Sequence, residues 1–386
     1  MAEITVQQPL AGIKVVEFST MITASLASMM FAQQGADVIK VEPPNIGDPM
    51  RWIGSQKAGI SGLFNNCNRA KRSIVLDLKS DEGVAAAKKL CLDADIVIHN
   101  YRPGVMERLG LDSETLRAEK PALIYCAITG FGREGPMSDR PAYDHVMQAM
   151  SGIMAVQGGH QGFSYMKTLL CDKITAYTAA QSITAALFAR ERIGVGQHMD
   201  ISMLASCLAF IWPDGGMHLT LLDDDVTPGA PFSDFYQLPL PATDGMVAYA
   251  AISDPQWAAI FDLIGRSDLK TVEKYQGLAN RNINIAELAQ LVATETPRHN
   301  SADMLRILGD ADVPAAPCLS LEAVKSHDQI LAIEAFDEQN HPHLGLLHNV
   351  AAPVRFGGQK AEPNGPSPAL GEHTDAILKE IGLEPA

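Results

Sequence analysis

Segments with the composition of buried strands alternate with helical segments through the first 130 residues. An apolar run at 13–18, a stretch of small residues at 24–34 and a second apolar run at 38–41 predict a strand, a helix and a strand. Further strands are predicted at 73–78, 95–99, 122–128 and 199–202. Strands that alternate with helices form parallel sheets covered on both faces, so the predicted fold class is α/β with a doubly wound core.

The second half of the chain predicts a smaller α+β domain between two linkers. A long alanine-rich helix at 175–192 closes the first domain, and turn residues dominate from Pro213 to Pro231. A hairpin is predicted around Asp244, followed by helices near 257–264, 285–293 and 302–308. After Ser326 the periodicity is lost until a helix at 374–381. The predicted ranges are 1–203 with 345–386 for the large domain, 204–228 for the linker, 229–322 for the small domain and 323–344 for the return linker.

Composition excludes several classes of protein. The 386 residues carry 30 Lys and Arg against 45 Asp and Glu, a net charge of −15, which argues against a nucleic-acid binder. The most apolar stretch, 169–189, is interrupted by Asp172, Lys173 and Gln181, so no membrane span is expected. The first eight residues lack the pattern of a secretory signal, and the six cysteines form no CxxC pair. These features indicate a cytoplasmic protein with reduced thiols.

The strong general motifs are absent. The chain has no Walker A sequence, no GxSxG, no HExxH and no GxGxxG after the first strand. His341, His343 and His348 match no common zinc spacing, so no metal site is predicted. We therefore expect no permanently bound cofactor.

Two groups of residues are candidates for chemistry. Asp172 precedes a predicted helix, which suits either an N-cap or a desolvated carboxylate nucleophile, and spacing alone does not separate these roles. Cations on the loops of the first domain suit either a phosphorylated ligand or a solvated surface. They are Arg51, Arg69, Lys71, Arg72, Arg102 and Arg108.

Taken together, these residues resemble the class III CoA-transferase family, which also contains the α-methylacyl-CoA racemases. The resemblance covers nearly the whole chain, and its motifs are specific in their order and spacing. They are Pro9 to Gly12, Gly35 to Glu42, Gly47-Asp48 with Arg51, Asn68 to Asp77, Asn100 to Gly104, Gly130 to Gly132, Gly135-Pro136, Pro141 to Asp144, Arg190 to Arg192, Gly194 to Gln197 and Leu370 to Thr374.

The resemblance implies a Rossmann-like large domain, a small domain, two linkers and an interlocked homodimer. It places the nucleophile on Asp172, which attacks an acyl-CoA to give a mixed anhydride and then an aspartyl-CoA thioester that a free carboxylic acid resolves. Coenzyme A is thus a moiety of the substrate, and backbone N–H groups are expected to stabilise the oxyanions. The implied CoA contacts are Leu76, Lys79, Asn100, Tyr101 and Arg108.

The chain departs from the family pattern at a few positions. Residues 22–25 replace a Gln-Ala-Gly-Pro segment, and Pro43 replaces an arginine. Lys173 replaces a small residue, and we expect it to pair with Asp172 and lower its pKa.

Tyr143 occupies the position of the racemase histidine, and a tyrosine is a poor base at neutral pH, which favours a transferase. The alternatives are a racemase in which Asp144 or His145 substitutes, and a CoA-binding protein without catalysis.

Overall fold

The computed structural model describes residues 8–235, 238–359 and 365–384. The chain divides into two compact units, one of Met1–Pro213 with Ala332–Ala386 and the other of Asp214–Leu331. The boundaries predicted at 203/204 and 344/345 differ from this division. The difference arises because a helix, not a linker, follows the last strand of the first unit, and because the returning chain is already part of that unit at residue 332.

A parallel sheet of six strands organises the first unit. Its strands, with two short ones between them, are β1 (Lys14–Phe18), β2 (Asp37–Glu42), β3 (Gln56–Lys57), β4 (Ile60–Ser61), β5 (Arg72–Val75), β6 (Ile96–His99), β7 (Ile124–Thr129) and β8 (His198–Ser202). The order across the sheet is β5-β2-β1-β6-β7-β8, and every neighbouring pair is parallel. All six strands predicted from the sequence are therefore confirmed.

Helices cover both faces of this sheet. They are α1 (Ile22–Gln33), α2 (Gly62–Asn68), α3 (Asp81–Asp93), α4 (Val105–Arg108), α5 (Ser113–Glu119), α6 (Asp144–Met150), α7 (Ile153–Gly158), α8 (Leu170–Ile193) and α9 (Met203–Gly215). Successive side chains of a strand point to opposite faces. Val15 accordingly joins the core formed with α1 and α8, while Val16 joins the core formed with α3. The doubly wound α/β prediction is confirmed.

The second unit combines a three-stranded antiparallel sheet with short helices. The elements are β9 (Leu240–Ala242), β10 (Gly245–Tyr249), α10 (Asp254–Leu263), α11 (Leu278–Ile283), α12 (Ile285–Glu295), α13 (Ser301–Asp310), β11 (Ala315–Pro317), α14 (Leu321–Val324) and α15 (Asp328–Ala332). The hairpin at Asp244 and the three helices agree with the sequence prediction. Trp257 lies at the centre of the core, and its Nε1 donates to the carbonyl of Ala251 at 3.1 Å.

The returning chain contains a hairpin that the sequence did not predict. It is formed by β12 (Phe336–His341) and β13 (Gly345–Val350), and the chain ends with α16 (Thr374–Glu380). Asn65 Nδ2 on α2 donates to Asn349 Oδ1 at 2.9 Å, which ties the hairpin to α2 within the first unit. The side chains of β12 are largely polar, and the apolar residues of β13 do not alternate with polar ones, so the hydrophobic pattern carries little signal.

Within the described residues, no helix has both the length and the apolar character needed to cross a membrane.

Candidate active site

Asp172 lies in the first turn of α8 and is almost fully buried, with 7% of its surface exposed. It does not cap its own helix, because no side chain at the start of α8 makes a capping hydrogen bond to that helix. The cap comes from a different helix. Asp144 Oδ2 accepts from the backbone N–H of Cys171 at 2.6 Å and from that of Asp172 at 3.2 Å. The N-cap role considered for Asp172 is therefore performed by Asp144.

The surroundings of Asp172 disfavour its charged form. Burial raises the pKa of this carboxyl group, and the negative charge of Asp144 raises it further, to about 7. Lys173 acts in the opposite direction, but it does not outweigh these effects. Lys173 Nζ donates to Thr168 Oγ1 at 2.7 Å. Lys173 thus lowers the pKa of Asp172, as expected, but its Nζ is hydrogen-bonded to Thr168 and its effect is smaller than those of burial and Asp144.

A carboxyl group of this kind is ionised in part of the molecules near neutral pH. Because a carboxylate of higher pKa is more basic, it is also a stronger nucleophile once it is ionised. The first turn of α8 thus presents a desolvated carboxylate suited to attack an activated carbonyl carbon.

Tyr143 and Asp144 begin α6 but differ completely in exposure. Tyr143 is 66% exposed, whereas Asp144 is 1% exposed. Asp144 Oδ1 accepts from Gln148 Nε2 at 2.5 Å, while its Oδ2 accepts from the two amides of α8. With both oxygens engaged, Asp144 is a structural acceptor and not a free base.

A cleft of about 460 Å³ opens at the carboxyl ends of β2, β5 and β6. Its walls are mostly apolar, with Lys79 and Arg108 as cations. The lining residues are Val41, Glu42, Pro43, Leu76, Asp77, Leu78, Lys79, Tyr101, Val105, Arg108 and Leu109. Four of the five predicted CoA contacts lie together here. An apolar cleft with two cations suits an adenine ring and its phosphates.

Asn100, the fifth predicted CoA contact, holds the loop between β1 and α1. Its Nδ2 donates to the carbonyl of Thr20 at 2.6 Å and to Thr23 Oγ1 at 3.0 Å. Its Oδ1 accepts from the backbone N–H of Thr20 at 3.1 Å. The side chain is thus engaged inside the protein and does not line the cleft.

Gly104 allows the chain to turn beside Arg108. Its φ is +81°, and an added Cβ would lie 3.1 Å from Arg108 Nη1. A larger residue would therefore strain the backbone and displace the guanidinium group.

Several loop cations that the sequence suggested as ligand contacts are instead paired with carboxylates of the protein. Arg51 Nη2 pairs with Glu42 Oε1 at 2.7 Å, and its guanidinium lies 3.7 Å from the ring centre of Phe64. Arg72 pairs with Asp37 and Glu380. These cations compensate buried or neighbouring carboxylates, so they are not presented to a ligand.

A network of buried charges around Glu17 also supports the loop between β1 and α1. Lys40 Nζ lies 2.6 Å from Glu17 Oε1, and Lys71 Nζ lies 2.7 Å from Glu17 Oε2. The two cations hold the pKa of Glu17 well below its usual value, although burial opposes them. Lys71 was expected on a ligand-binding loop, but it is paired with Glu17 instead. The sequence does carry a signal for this network, namely one charged residue within each of the apolar runs of β1 and β2.

His341, one of the three histidines considered for metal binding, has internal partners. Its Nδ1 accepts from the backbone N–H groups of His343 and Leu344, so Nε2 carries the proton and donates to the carbonyl of Ser367 at 2.8 Å.

A parallel sheet with an apolar, cation-bearing cleft at its carboxyl edge is typical of α/β proteins that bind nucleotides. The chain belongs to the CoA-transferase family III, whose model matches residues 10–374. It is therefore a class III CoA-transferase, as the resemblance implied.

Comparisons with individual proteins agree. The succinate–glutarate CoA-transferase of Agrobacterium fabrum is 33% identical over 384 residues, covering 97% of this chain and 96% of that protein. The acetyl-CoA:oxalate CoA-transferase of Acetobacter aceti is 32% identical, covering 98% and 97%. The crystal structure of a CAIB/BAIF family protein from Brucella suis has a TM-score of 0.84 and 31% identity, covering 97% of this chain and all of that chain.

Proposed function

We propose that Asp172 is the nucleophile through which this CoA-transferase moves coenzyme A from an acyl-CoA to a free carboxylic acid. The observation that carries the proposal is the position of Asp172, a buried carboxyl group in the first turn of α8 whose pKa is raised to about 7. A carboxylate without strong internal partners is free to bond to carbon.

The reaction divides into four balanced steps. Asp172 attacks the thioester carbonyl, which forms a mixed anhydride and releases the CoA thiolate. The thiolate attacks the aspartyl carbonyl, which forms an aspartyl-CoA thioester and releases the donor acid. The acceptor carboxylate then attacks that thioester, which gives a second anhydride and again releases the thiolate. Attack of the thiolate on the acceptor carbonyl yields the new acyl-CoA and regenerates Asp172.

Coenzyme A is proposed to bind in the cleft at the carboxyl edge of the sheet. Leu76 and Tyr101 supply apolar surface for the adenine ring, and Lys79 and Arg108 supply charge for the phosphates. Asn100 is proposed to act on the neighbouring loop, through Thr20 and Thr23.

Short dicarboxylic acids are the proposed substrates. Relatives at 33% and 32% identity are named for succinate, glutarate and oxalate, all of which are dicarboxylates. Racemisation with Asp144 as the second base is disfavoured, since the side-chain amide of Gln148 and two backbone amides of α8 occupy both of its oxygens. No observation favours a binding protein without catalysis.

We also propose that the chain acts as an interlocked homodimer in the cytoplasm. Large apolar side chains are exposed along α8 and α9, and such surface in a folded protein commonly marks an interface. They include Tyr177, Phe188, Ile193, Phe210 and Trp212.

The test is a covalent adduct on Asp172. Incubation with succinyl-CoA alone should attach CoA to the peptide that contains Asp172, and hydroxylamine should release it. Asp172→Asn should fold, bind CoA and form no adduct. Asp81→Asn is the matched control, because Asp81 also lies in the first turn of a helix but is exposed. Full turnover between succinyl-CoA and glutarate by the Asp172 variant, free of deamidation, would refute the assignment.

A further inference from the structure

Gln148 on α6 joins three parts of the active-site region. It is 1% exposed, and every hydrogen-bonding atom of its amide is in use. Its Nε2 donates to Asp144 Oδ1 at 2.5 Å and to the carbonyls of Met166 and Thr168 at 3.1 and 3.2 Å. Its Oε1 accepts from the backbone N–H of Met166 at 3.0 Å. The side chain therefore fixes both Asp144 and the segment that leads into α8.

Asp144 transmits this constraint to the nucleophile. With Oδ1 held by Gln148, Oδ2 is directed at the amides of Cys171 and Asp172. A continuous set of hydrogen bonds thus runs from Gln148 through Asp144 to the first turn of α8. None of these bonds involves the residues that line the nucleotide cleft.

We propose that Gln148 is a positioning residue that orients Asp172 for attack through Asp144 and the segment 166–168. This inference rests on the proposed nucleophilic role of Asp172.

The position requires both a donor and an acceptor, which an amide provides. A carboxylate there accepts from Met166 but donates nothing to Asp144, whereas a methionine of similar length does neither.

The expected effect falls on the chemical step and not on the binding of CoA. A displacement of a reacting group by about 1 Å costs on the order of 100-fold in rate. In Gln148→Met, kcat should fall by between about 10-fold and 100-fold, while KM for succinyl-CoA stays within about two-fold of the parent. Adduct formation on Asp172 should slow by the same factor and remain at the same residue.

Gln148→Glu provides a second variant with its own signature. At low pH the introduced carboxyl group is protonated and donates to Asp144 as the amide does. The rate of this variant relative to the parent should therefore recover as the pH is lowered from 8 to 5. The charged groups that act on Asp172 in both proteins are Asp144 from α6 and Lys173 from α8. When the introduced carboxyl group is ionised it adds a negative charge beside Asp144, and this further effect also disappears as the group is protonated.

The experiment compares these variants with Gln157→Met, a matched change at an exposed glutamine of α7. Steady-state kinetics, adduct formation and thermal melting are measured on the full chain. A folded Gln148→Met variant with a parental kcat, or one whose loss lies entirely in KM, would overturn the proposal. If Gln148→Met does not fold, a pH-independent rate ratio for Gln148→Glu would overturn it. If Asp172→Asn is active, the assignment of the nucleophile fails, and this result is separate from the results for the Gln148 variants.

Discussion

Replacing Asp144 by asparagine should lower the pKa of Asp172 and move the pH dependence of transfer. Asp144 Oδ2 lies 3.2 Å from the backbone nitrogen of Asp172, which places the two carboxyl groups on the order of 5 Å apart. At an effective dielectric constant of about 20, charges at this separation interact by about 3 kcal/mol. One pKa unit corresponds to about 1.4 kcal/mol, so removing the charge should lower the pKa by about two units.

The assay is the dependence of kcat on pH between 5 and 9. For the parent protein the rate should rise with pH through a midpoint near 7, because Asp172 must lose its proton before it attacks. In Asp144→Asn the midpoint should move to about 5, and the plateau should fall because a less basic carboxylate is a weaker nucleophile. Lys173→Met should move the midpoint upward, since Lys173 favours the ionised form.

A control separates this electrostatic effect from the loss of a helix cap. Asp112 Oδ1 accepts from the backbone N–H of Thr115 at 3.0 Å and caps α5. Asp112→Asn should leave the pH midpoint unchanged. In Asp144→Asn the side-chain amide of the asparagine faces the NH2 group of Gln148, so the hydrogen bond between positions 144 and 148 is lost. We expect this loss alone to lower the free energy of unfolding by about 1–2 kcal/mol. An unshifted midpoint in a folded Asp144→Asn variant would refute the reasoning.

Two further predictions follow from the same site. The folded-state pKa of Asp172 is raised from 3.8 to about 7, so its stabilising contribution is present below about pH 4 and is lost as the pH rises through 7. Asp172→Asn should therefore exceed the parent in unfolding free energy at pH 8, by at most about 4 kcal/mol, with the difference vanishing near pH 4 in thermal or urea unfolding. Arg108→Ala should raise KM for succinyl-CoA about 10-fold with little change in kcat and should weaken the salt dependence of KM, whereas equal KM values would remove Arg108 from the phosphate site.

The fold was predictable because its signals are local. Each strand of the parallel sheet is a short apolar run bounded by turn or helix residues, and this pattern needs no knowledge of partners. The hairpin of β12 and β13 was missed because β12 is mostly polar and β13 lacks alternation. The strands are stabilised by pairing with each other and by the contact of Asn349 with α2. Pairing of that kind leaves no periodic pattern in the sequence.

The position of four predicted residues in one cleft could be expected from the sequence, but the electrostatics around Asp172 could not. Leu76 and Tyr101 follow strand ends, so their position at the carboxyl edge comes directly from the topology. Lys173 was expected to control Asp172 because it is adjacent in sequence, yet the stronger charge effect comes from Asp144, 28 residues away. Adjacency in sequence does not show that another helix places a carboxylate beside Asp172.

The cap supplied by Asp144 also decides which groups are available to the reaction. Free amides at a helix N-terminus would stabilise the carboxylate of Asp172 and lower its pKa. Here Asp144 occupies the amides of Cys171 and Asp172, while burial and the charge of Asp144 raise the pKa of Asp172, the proposed nucleophile. The same two amides cannot also donate to the oxyanion of a tetrahedral intermediate, so any backbone donors must come from other segments. In the proposed mechanism the first turn of α8 therefore holds Asp172 in place and does not stabilise the oxyanion.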